Sequence, residues 1–246
     1  MFSFFKKKND PNLNLSFLEV DMHSHLLPNL DDGLISMDDT IAFAKQLQDL
    51  GYKKLICTPH ILPGVHDNSP ELILPKLLEV KDAFTQNNID IKIEAAAEYM
   101  VGPEFQESIE KGEQLLTFGD KHILIEMSYA FPSQNMAQVI FDLKIKGYKP
   151  ILAHPERYNY YLGNYEIYEE FIGRGCLLQI NLLSLTGFYG KPVQKAAEYL
   201  VKNNMISFIG TDMHHAGHLE MTKILATSTK FHRLAENLDL KNKSLL

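Results

Sequence analysis

Short β-branched or apolar runs alternate along this sequence with longer stretches of helical character. The alternation predicts seven strands, at Phe17–Asp21, Lys54–Thr58, Ile91–Ala97, His122–Met127, Pro150–Ala153, Leu177–Asn181 and Ile206–Thr211. Helices are predicted to follow them, at Ser36–Leu50, Glu71–Gln86, Glu104–Lys111, Ser133–Lys146, Tyr165–Gly173, Lys191–Asn203 and Leu219–Leu234. Repeated strand–helix units of this kind favour a parallel sheet covered by helices.

A His, Asp or Glu side chain stands at or just after the end of nearly every predicted strand. His25 follows the first predicted strand and Asp212 follows the seventh, 187 residues later. Six strand-to-strand steps separate them, so the average step is about 31 residues. A βαβ unit has roughly 30 residues, so these side chains recur with the period of the fold. Strand ends meet on one face of a closed parallel barrel, whereas an open sheet spreads them along a line. We therefore predict an α/β barrel rather than an open, doubly wound sheet.

The spacing within the end segments indicates a shared metal site. Residues i and i+2 of an extended segment point to the same side, so His23 and His25 can bind one ion. Asp212 and His214 can converge in the same way. Imidazole and carboxylate ligands together suit Zn, Mn or Fe. The candidate ligands are His23, His25, Asp32, His60, Glu98, Glu126, His154, Asp212 and His214. Nine ligands exceed the need of one ion, so two or three divalent ions are expected.

Composition narrows the range of partners and compartments. The 246 residues, 45% of them hydrophobic, are predicted to form a single domain over 1–246, with residues 1–15 as a flexible N-terminal extension. A net charge of −7 argues against a nucleic-acid partner, because the phosphate backbone favours clustered Lys and Arg. Two cysteines, Cys57 and Cys176, cannot form a disulfide framework, which favours the reducing cytoplasm.

Several motifs, taken in order, resemble those of the polymerase-and-histidinol-phosphatase (PHP) superfamily. They are Asp21-Met22-His23-Ser24-His25, Asp31-Asp32-Gly33, Thr58-Pro59-His60, Ala97-Glu98, Ile125-Glu126, Ala153-His154-Pro155-Glu156-Arg157-Tyr158 and Thr211-Asp212-Met213-His214. Within the superfamily, the set is most similar to the bacterial tyrosine phosphatases of capsule and exopolysaccharide clusters, the CpsB/YwqE type. The resemblance extends from about Glu19 to His218 and implies a distorted seven-stranded (β/α)7 barrel of the TIM-like PHP type.

The resemblance also implies roles for individual residues. His23, His25, Glu98 and Asp212 would hold a first ion, and Glu98 would bridge to a second ion held also by Glu126 and His154. A third ion would be held by Asp32, His60 and His214. Arg157 matches the family's phosphate-binding arginine. The sequence has no Arg after Asp212-Met213-His214 until Arg233, where the family carries a second such residue. His218 is the nearest candidate replacement, and His218 or His215 could protonate the leaving oxygen.

Function is implied by the same resemblance. The expected reaction is hydrolysis of phosphotyrosine by a hydroxide that bridges two ions, manganese being favoured over Fe, Zn or Co. The expected substrate is a tyrosine autokinase tail that controls polysaccharide synthesis and export, which would bring the protein transiently near the membrane. The oligomeric state stays open. A small phosphomonoester similar to histidinol phosphate is the main alternative substrate. An amidohydrolase-type deacylase is disfavoured, since Glu126 stands where such sites commonly carry a modified Lys.

Overall fold

A computed structural model of the protein describes residues 9–246. Its strands are β1 Val20–Ser24, β2 Lys54–Cys57, β3 His60–Ile61, β4 Lys92–Ala95, β5 Glu98–Met100, β6 His122–Glu126, β7 Lys149–Ala153, β8 Leu177–Asn181 and β9 Phe208–Gly210. Its α-helices are α1 Met37–Asp49, α2 Pro70–Gln86, α3 Pro103–Lys111, α4 Met136–Ile145, α5 Glu166–Gly173, α6 Lys191–Lys202, α7 Ala216–Ala226 and α8 Thr229–Ala235. The alternation predicted from the sequence is therefore confirmed.

Every ladder between these strands is parallel, and together they form a distorted barrel. One sheet has the order β1-β2-β4 and the other the order β3-β5-β6-β7-β8-β9. The predicted second and third strands, Lys54–Thr58 and Ile91–Ala97, are each followed by an additional short strand that was not predicted, so that seven strand positions contain nine short strands. The strands β2 and β4 pair with each other, while the additional strands β3 and β5 pair in the second sheet. The predicted α/β barrel is confirmed, with a break that places His60 opposite Glu98.

The barrel closes where its last strand meets its first. Asp212 N donates to His23 O at 2.8 Å, and His25 N donates to Met213 O at 3.0 Å. At the other end of the same seam, the Asn242 side chain donates to Val20 O and to Ile209 O, at 2.9 and 2.7 Å. Closure therefore brings the motif after β1 directly beside the motif after β9.

The barrel interior beneath the strand ends is filled with apolar side chains. It contains Val20, Met22, Ile56, Ala96, Phe118, Leu124, Ile151, Ala153, Phe208 and Leu245. Alternate residues of the strands face inward, because the side-chain period of a strand is two. A larger apolar cluster lies between the strands and the surrounding helices. Because the interior is packed, polar chemistry is confined to the carboxyl ends of the strands.

Three predicted elements have wrong boundaries. The first strand is Val20–Ser24 rather than Phe17–Asp21. The fourth helix begins at Met136 rather than Ser133. The predicted last helix, Leu219–Leu234, is two helices, because the chain breaks after Ala226. Ser228 caps the second helix by accepting from Phe231 N at 3.4 Å, and the freed Thr227 carbonyl accepts from Asp10 N at 2.9 Å. A serine side chain can compete in this way with the hydrogen bonds of a continuous helix. The hydrogen bond between Asp10 N and Thr227 O further stabilises the broken conformation.

The N-terminal prediction lies partly outside the described residues. Residues 1–8 of the proposed flexible extension are among those not described. Within the described part, Leu15 is fully buried and its amide donates to Leu50 O at 2.7 Å. Across residues 9–246, none of the helices has both the length and the apolar character needed to span a lipid bilayer.

Candidate metal centre

Four buried side chains from three separate motifs form the first ligand cluster. They are His23, His25, Glu98 and Asp212. His23 Nε2 lies 3.2 Å from His25 Nε2, 3.1 Å from Glu98 Oε2 and 3.3 Å from Asp212 Oδ1. Atoms that bind one ion at 2.0–2.1 Å are about 3.0–3.4 Å apart. Two imidazole nitrogens and two carboxylate oxygens therefore stand at the separations that a shared cation requires.

In the metal-free protein, protonated histidines compensate the negative charge of the carboxylates in this cluster. Burial opposes a charge on His23, but Glu98 and Asp212 outweigh it and raise the pKa of His23 to about 9. Burial likewise opposes ionisation of Glu98, yet the imidazolium groups of His23 and His60 hold the pKa of this carboxyl well below its usual range. Burying two carboxylates without compensating positive charge costs free energy, so this cluster favours the binding of a cation.

The second cluster shares Glu98 with the first. His60, Glu98 and Glu126 each offer one ligand atom within this group. His60 Nδ1 lies 2.9 Å from Glu126 Oε1 and 3.2 Å from Glu98 Oε2. This nitrogen is buried and, among the described residues, has no hydrogen-bond partner of proper geometry despite these contacts. Close approach without hydrogen bonding is expected of two ligands that share an ion, because neither donates a proton.

His154 occupies the other side of Glu98. Its Nε2 lies 3.0 Å from Glu98 Oε1, while Glu98 Oε2 faces His23 and His60. The structure thus brings His154 to Glu98, as the resemblance implies, but places His60 rather than His154 directly beside Glu126. Both His154 and Asp212 have left-handed backbone, with φ of 34° and 51°. Such conformations are uncommon for residues other than glycine and concentrate at functional sites.

A third cluster lies nearer the surface. His25, Asp32, His60 and His214 offer ligand atoms within 4.8 Å of one another. His214 Nε2 is 3.4 Å and His60 Nε2 is 3.6 Å from Asp32 Oδ1. The Asp32 side chain is 62% exposed, so this cluster opens to solvent. A hydrogen bond from His214, partly opposed by burial, lowers the pKa of Asp32 to about 2.

Three polar residues that sequence reasoning did not select orient these ligands. Asp31 Oδ2 accepts from His25 Nδ1 at 2.7 Å and from His60 N at 3.1 Å. Gln179 Oε1 contacts His23 Nδ1 at 2.8 Å, and Asn181 Nδ2 donates to Asp212 Oδ2 at 2.6 Å. Partners of this kind fix the orientation and tautomer of metal ligands. Their signal in the sequence was their position: Asp31 adjoins Asp32, Asn181 ends β8, and Gln179 lies two residues before it on the same strand.

The turn after Asp31 depends on a glycine. A Cβ at Gly33 would lie 2.2 Å from His25 O and 2.6 Å from His25 Cβ. The amide of Gly33 donates to Asp31 Oδ1 at 3.0 Å. The missing side chain therefore lets this loop lie directly on the first ligand motif, which brings Asp32 to the third cluster.

Arg157 stands between two tyrosines at the edge of the clusters. Its guanidinium carbon is 4.9 Å from the Tyr129 ring centroid and 4.4 Å from that of Tyr189. Arg157 NH1 donates to Asp212 Oδ2 at 2.8 Å, rather than pairing with the adjacent Glu156. Glu156 is instead fully buried and accepts from Asn181 N and the Ser184 hydroxyl. Aromatic faces on both sides hold the guanidinium in one plane.

The clusters and Arg157 share one cavity of about 290 Å³. Its lining consists of Asp32, His60, Tyr129, His154, Arg157, Tyr189, Asp212, His214, His215 and His218. Five of the nine predicted ligands therefore face the same space as the arginine and both tyrosines. The cavity combines cation-binding groups with a fixed guanidinium, which suits an anionic group attached to an aromatic ring.

His218 lies at the start of α7 with a defined tautomer. Its Nδ1 accepts from the His214 amide at 3.2 Å, so a neutral ring carries its proton on Nε2. Burial, together with the charge of His215, lowers the pKa of His218 to about 4. At neutral pH this residue is therefore an uncharged hydrogen-bond donor rather than a ready proton donor.

His66, Tyr158 and the two cysteines lie outside the set of predicted ligands. His66 stacks on His60 with ring centroids 5.5 Å apart. Tyr158 is fully buried, and its hydroxyl donates to Ala153 O at 3.1 Å. Its sequence position after Arg157 gave no sign of this inward turn. Cys57 and Cys176 are free and buried.

The sequence of this chain is similar to those of several known proteins. The family described as capsular polysaccharide synthesis, CpsB/CapC, matches residues 19–234. The tyrosine-protein phosphatase YwqE of Bacillus subtilis (strain 168) is 31% identical over 197 residues, covering 80% of this chain and 77% of its own length. The tyrosine-protein phosphatase CpsB of Streptococcus pneumoniae is 27% identical over 201 residues, covering 80% and 83%.

Solved structures extend the comparison to the fold. A crystal structure from work on YwqE of Bacillus subtilis and CpsB of Streptococcus pneumoniae, described as metal-dependent tyrosine phosphatases, matches with a TM-score of 0.79 and 29% identity over 92% of this chain and 94% of the other. A histidinol phosphate phosphatase of Lactococcus lactis matches with a TM-score of 0.51 and 16% identity, which indicates a shared fold only. The chain therefore belongs to the CpsB/CapC family, the bacterial tyrosine phosphatases of capsular polysaccharide synthesis.

Proposed function

We propose that this protein hydrolyses phosphotyrosine on a bacterial tyrosine autokinase that regulates polysaccharide synthesis and export. The observation that carries the proposal is the shared cavity, which is lined by at least one member of each ligand cluster and by an arginine that lies over the rings of Tyr129 and Tyr189. The cations and guanidinium suit a phosphoryl group, and the tyrosine rings suit an aryl leaving group. The autokinase substrate is supported by the capsule-synthesis family and by the phosphatase names of the relatives.

The ligand clusters support two or three divalent ions, with manganese as the favoured metal and Fe, Zn or Co as alternatives. We assign the first ion to His23, His25, Glu98 and Asp212, the second to Glu98, Glu126, His60 and His154, and the third to Asp32, His60 and His214. Divalent ions at such a site lower the pKa of water and neutralise charge on a phosphoryl group. The ligand separations of 3.1–3.3 Å around His23 Nε2 fit this assignment.

The protein's own groups supply the rest of the mechanism. Arg157 would bind non-bridging phosphoryl oxygens in a fixed plane, since its ring contacts and its bond to Asp212 restrict its motion. His218 would donate a hydrogen bond from Nε2 to the phosphoryl group, because its low pKa makes it a poor general acid at neutral pH. A phenolate is a good leaving group, so hydrolysis needs little help from an acid. His215, which also lines the cavity, is the remaining candidate for that help.

Rates on matched phosphoesters test the proposal. The manganese-loaded protein is assayed on a phosphotyrosyl peptide, the same peptide with phosphoserine, and histidinol phosphate. We expect kcat/KM to be highest on the phosphotyrosyl peptide and to fall strongly in Arg157→Ala, with Arg174→Ala, an exposed arginine paired with Glu170, as control. Faster hydrolysis of histidinol phosphate by orders of magnitude would assign the cavity to a small metabolite instead.

The proposed setting is the cytoplasm, with transient approach to the membrane through the kinase. The two free, buried cysteines support a reducing compartment. Nothing in the charge of the chain supports a nucleic-acid partner, since its net charge is −7.

A further inference from the structure

The loops around the cavity carry unusually exposed apolar side chains. Ile35 is 71% exposed, and Val65 and Phe131 are each 67% exposed. Among the large apolar residues that the structure describes, only Ile145, at 69%, matches them. The three follow β1, β3 and β6, so they lie at the end of the barrel that contains the metal centre. We call Ile35, Val65 and Phe131 the apolar rim.

Each rim residue is close to the cavity along the chain. Asp32 and Tyr129 line the cavity. Ile35 comes three residues after Asp32, and Phe131 comes two residues after Tyr129. An extended chain spans at most about 3.6 Å per residue, so these backbone separations are below about 11 Å. Val65 precedes His66, whose ring stacks on a metal-cluster histidine. The rim therefore lies within reach of residues next to a bound phosphotyrosine.

Hydrogen bonds hold two of the rim loops together. Asn68 Nδ2 donates to Leu30 O at 2.7 Å and to His60 O at 2.8 Å, which ties the loop of Val65 to the loop of Ile35. Leu62 and His66 form an antiparallel bridge on either side of the turn that exposes Val65. These side chains are thus presented on supported backbone, and exposing them to water without a partner is unfavourable.

Lysine and arginine are scarce in the same loops. Apart from Arg157, no Lys or Arg occurs at residues 25–36, 58–69, 96–102, 127–135, 154–165, 182–190 or 211–215. An anionic membrane surface or an acidic peptide would be recognised by clustered Lys and Arg. The composition of this face therefore favours an uncharged, apolar partner beside the phosphoryl group.

We propose that the apolar rim binds apolar residues within about three positions of the phosphotyrosine in a protein substrate. This inference rests on the proposed function, because it concerns the chain on either side of the same phosphoryl group. The cavity of about 290 Å³ accepts the phosphorylated side chain, while the neighbouring residues lie across the loops outside it. The enzyme then selects phosphotyrosines in apolar rather than acidic surroundings.

The test compares three substrates of the manganese-loaded protein. They are free phosphotyrosine, a phosphotyrosyl peptide with Leu and Phe at the flanking positions, and the same peptide with Glu there. The triple variant Ile35→Ser, Val65→Ser, Phe131→Ser is compared with Phe141→Ser, Ile145→Ser, whose exposed side chains lie on α4. We expect the rim variant to lose about tenfold in kcat/KM on the Leu/Phe peptide, mainly through KM, and to keep its rate on free phosphotyrosine.

The outcomes separate this inference from the function on which it rests. Equal wild-type rates on the Leu/Phe and Glu peptides, or equal losses in the rim and α4 variants, would overturn the rim while leaving a phosphotyrosine phosphatase. A parallel loss on free phosphotyrosine would also overturn it, because the substitutions would then act on the metal centre. Absence of wild-type hydrolysis on all three substrates would overturn both proposals.

Discussion

Asp212 uses its two carboxylate oxygens for different purposes. Oδ1 lies 3.3 Å from His23 Nε2 and 3.4 Å from His25 Nε2, whereas Oδ2 accepts from Arg157 at 2.8 Å. One side chain therefore joins the cation-binding atoms to the proposed phosphate-binding arginine. This link holds Arg157 against the first ligand cluster.

Replacing this carboxylate tests the assignment of the first ion. We expect Asp212→Ala to abolish turnover, because a ligand and the orientation of Arg157 are lost together. His154→Ala is expected to do the same through the second ion. The helical circular dichroism signal should stay largely intact in both. Asp120→Ala, which removes an exposed partner of Lys149, is the control and should retain activity. Near-wild-type turnover in Asp212→Ala would remove it from the ligand set.

Asp31 is expected to tune metal affinity without binding metal itself. Its carboxylate orients His25 and receives the His60 amide. We predict that Asp31→Asn weakens manganese binding by about 10–100-fold, measured by calorimetry on the metal-free protein. Asp38→Asn, at the exposed start of α1, is the matched control. Unchanged affinity in Asp31→Asn would show that the turn at Gly33 alone positions His25.

The raised pKa values of the ligand histidines give a pH prediction with a definite sign. The pKa of His23 and of His214 is about 9, and that of His60 about 10, because carboxylates outweigh burial at each. Their charged forms stabilise the metal-free protein fully below the unfolded pKa of about 6.5, and this is lost as pH rises through 9–10. We expect the Tm of the metal-free protein to fall between pH 7 and pH 10. Because ions compete with these protons, manganese affinity should rise over the same range. A Tm that rises with pH would contradict the assigned charges.

Short elements rather than long ones position the site. The strands β3 and β5 contain only two and three residues, yet their register sets His60 opposite Glu98. At the opposite end, the C-terminal segment crosses the seam between β1 and β9 through Asn242. Both features depend on pairing between distant segments, and neither has a periodic pattern in the sequence.

The seam contact can be tested by stability. Asn242 is buried and makes three hydrogen bonds to backbone groups of Val20 and Ile209. Removing it leaves buried backbone groups without partners, so Asn242→Ala should lower the free energy of unfolding by about 2 kcal/mol. Denaturant unfolding measures this, with exposed Asn237→Ala as control. Equal stability of the two variants would mean that water replaces the lost contacts at the seam.

The metal centre also couples to the stability of the whole molecule. Its ligands come from segments between His23 and His214, so an ion bound there joins the two sides of the barrel seam. We expect EDTA to inactivate the protein reversibly and to lower its Tm, with Mn, Co or Zn restoring both. At a free ion concentration 100 times Kd, binding stabilises the folded state by about 2.7 kcal/mol per site. Full activity after exhaustive chelation, verified by elemental analysis, would contradict a metal-dependent reaction.

The sequence by itself determined the alternation of strands and helices, the barrel, and eight candidate ligands that the folded chain groups into clusters, because hydrophobic period and strand-end position are local properties. The helix break at Thr227 and the burial of Tyr158 were decided by tertiary packing against Asp10 and Ala153. So were the pairing of Arg157 with Asp212 and the role of Asp31. These depend on which distant groups meet when the barrel closes. A polar side chain near a ligand can face inward or outward, and only the folded chain selects its partner.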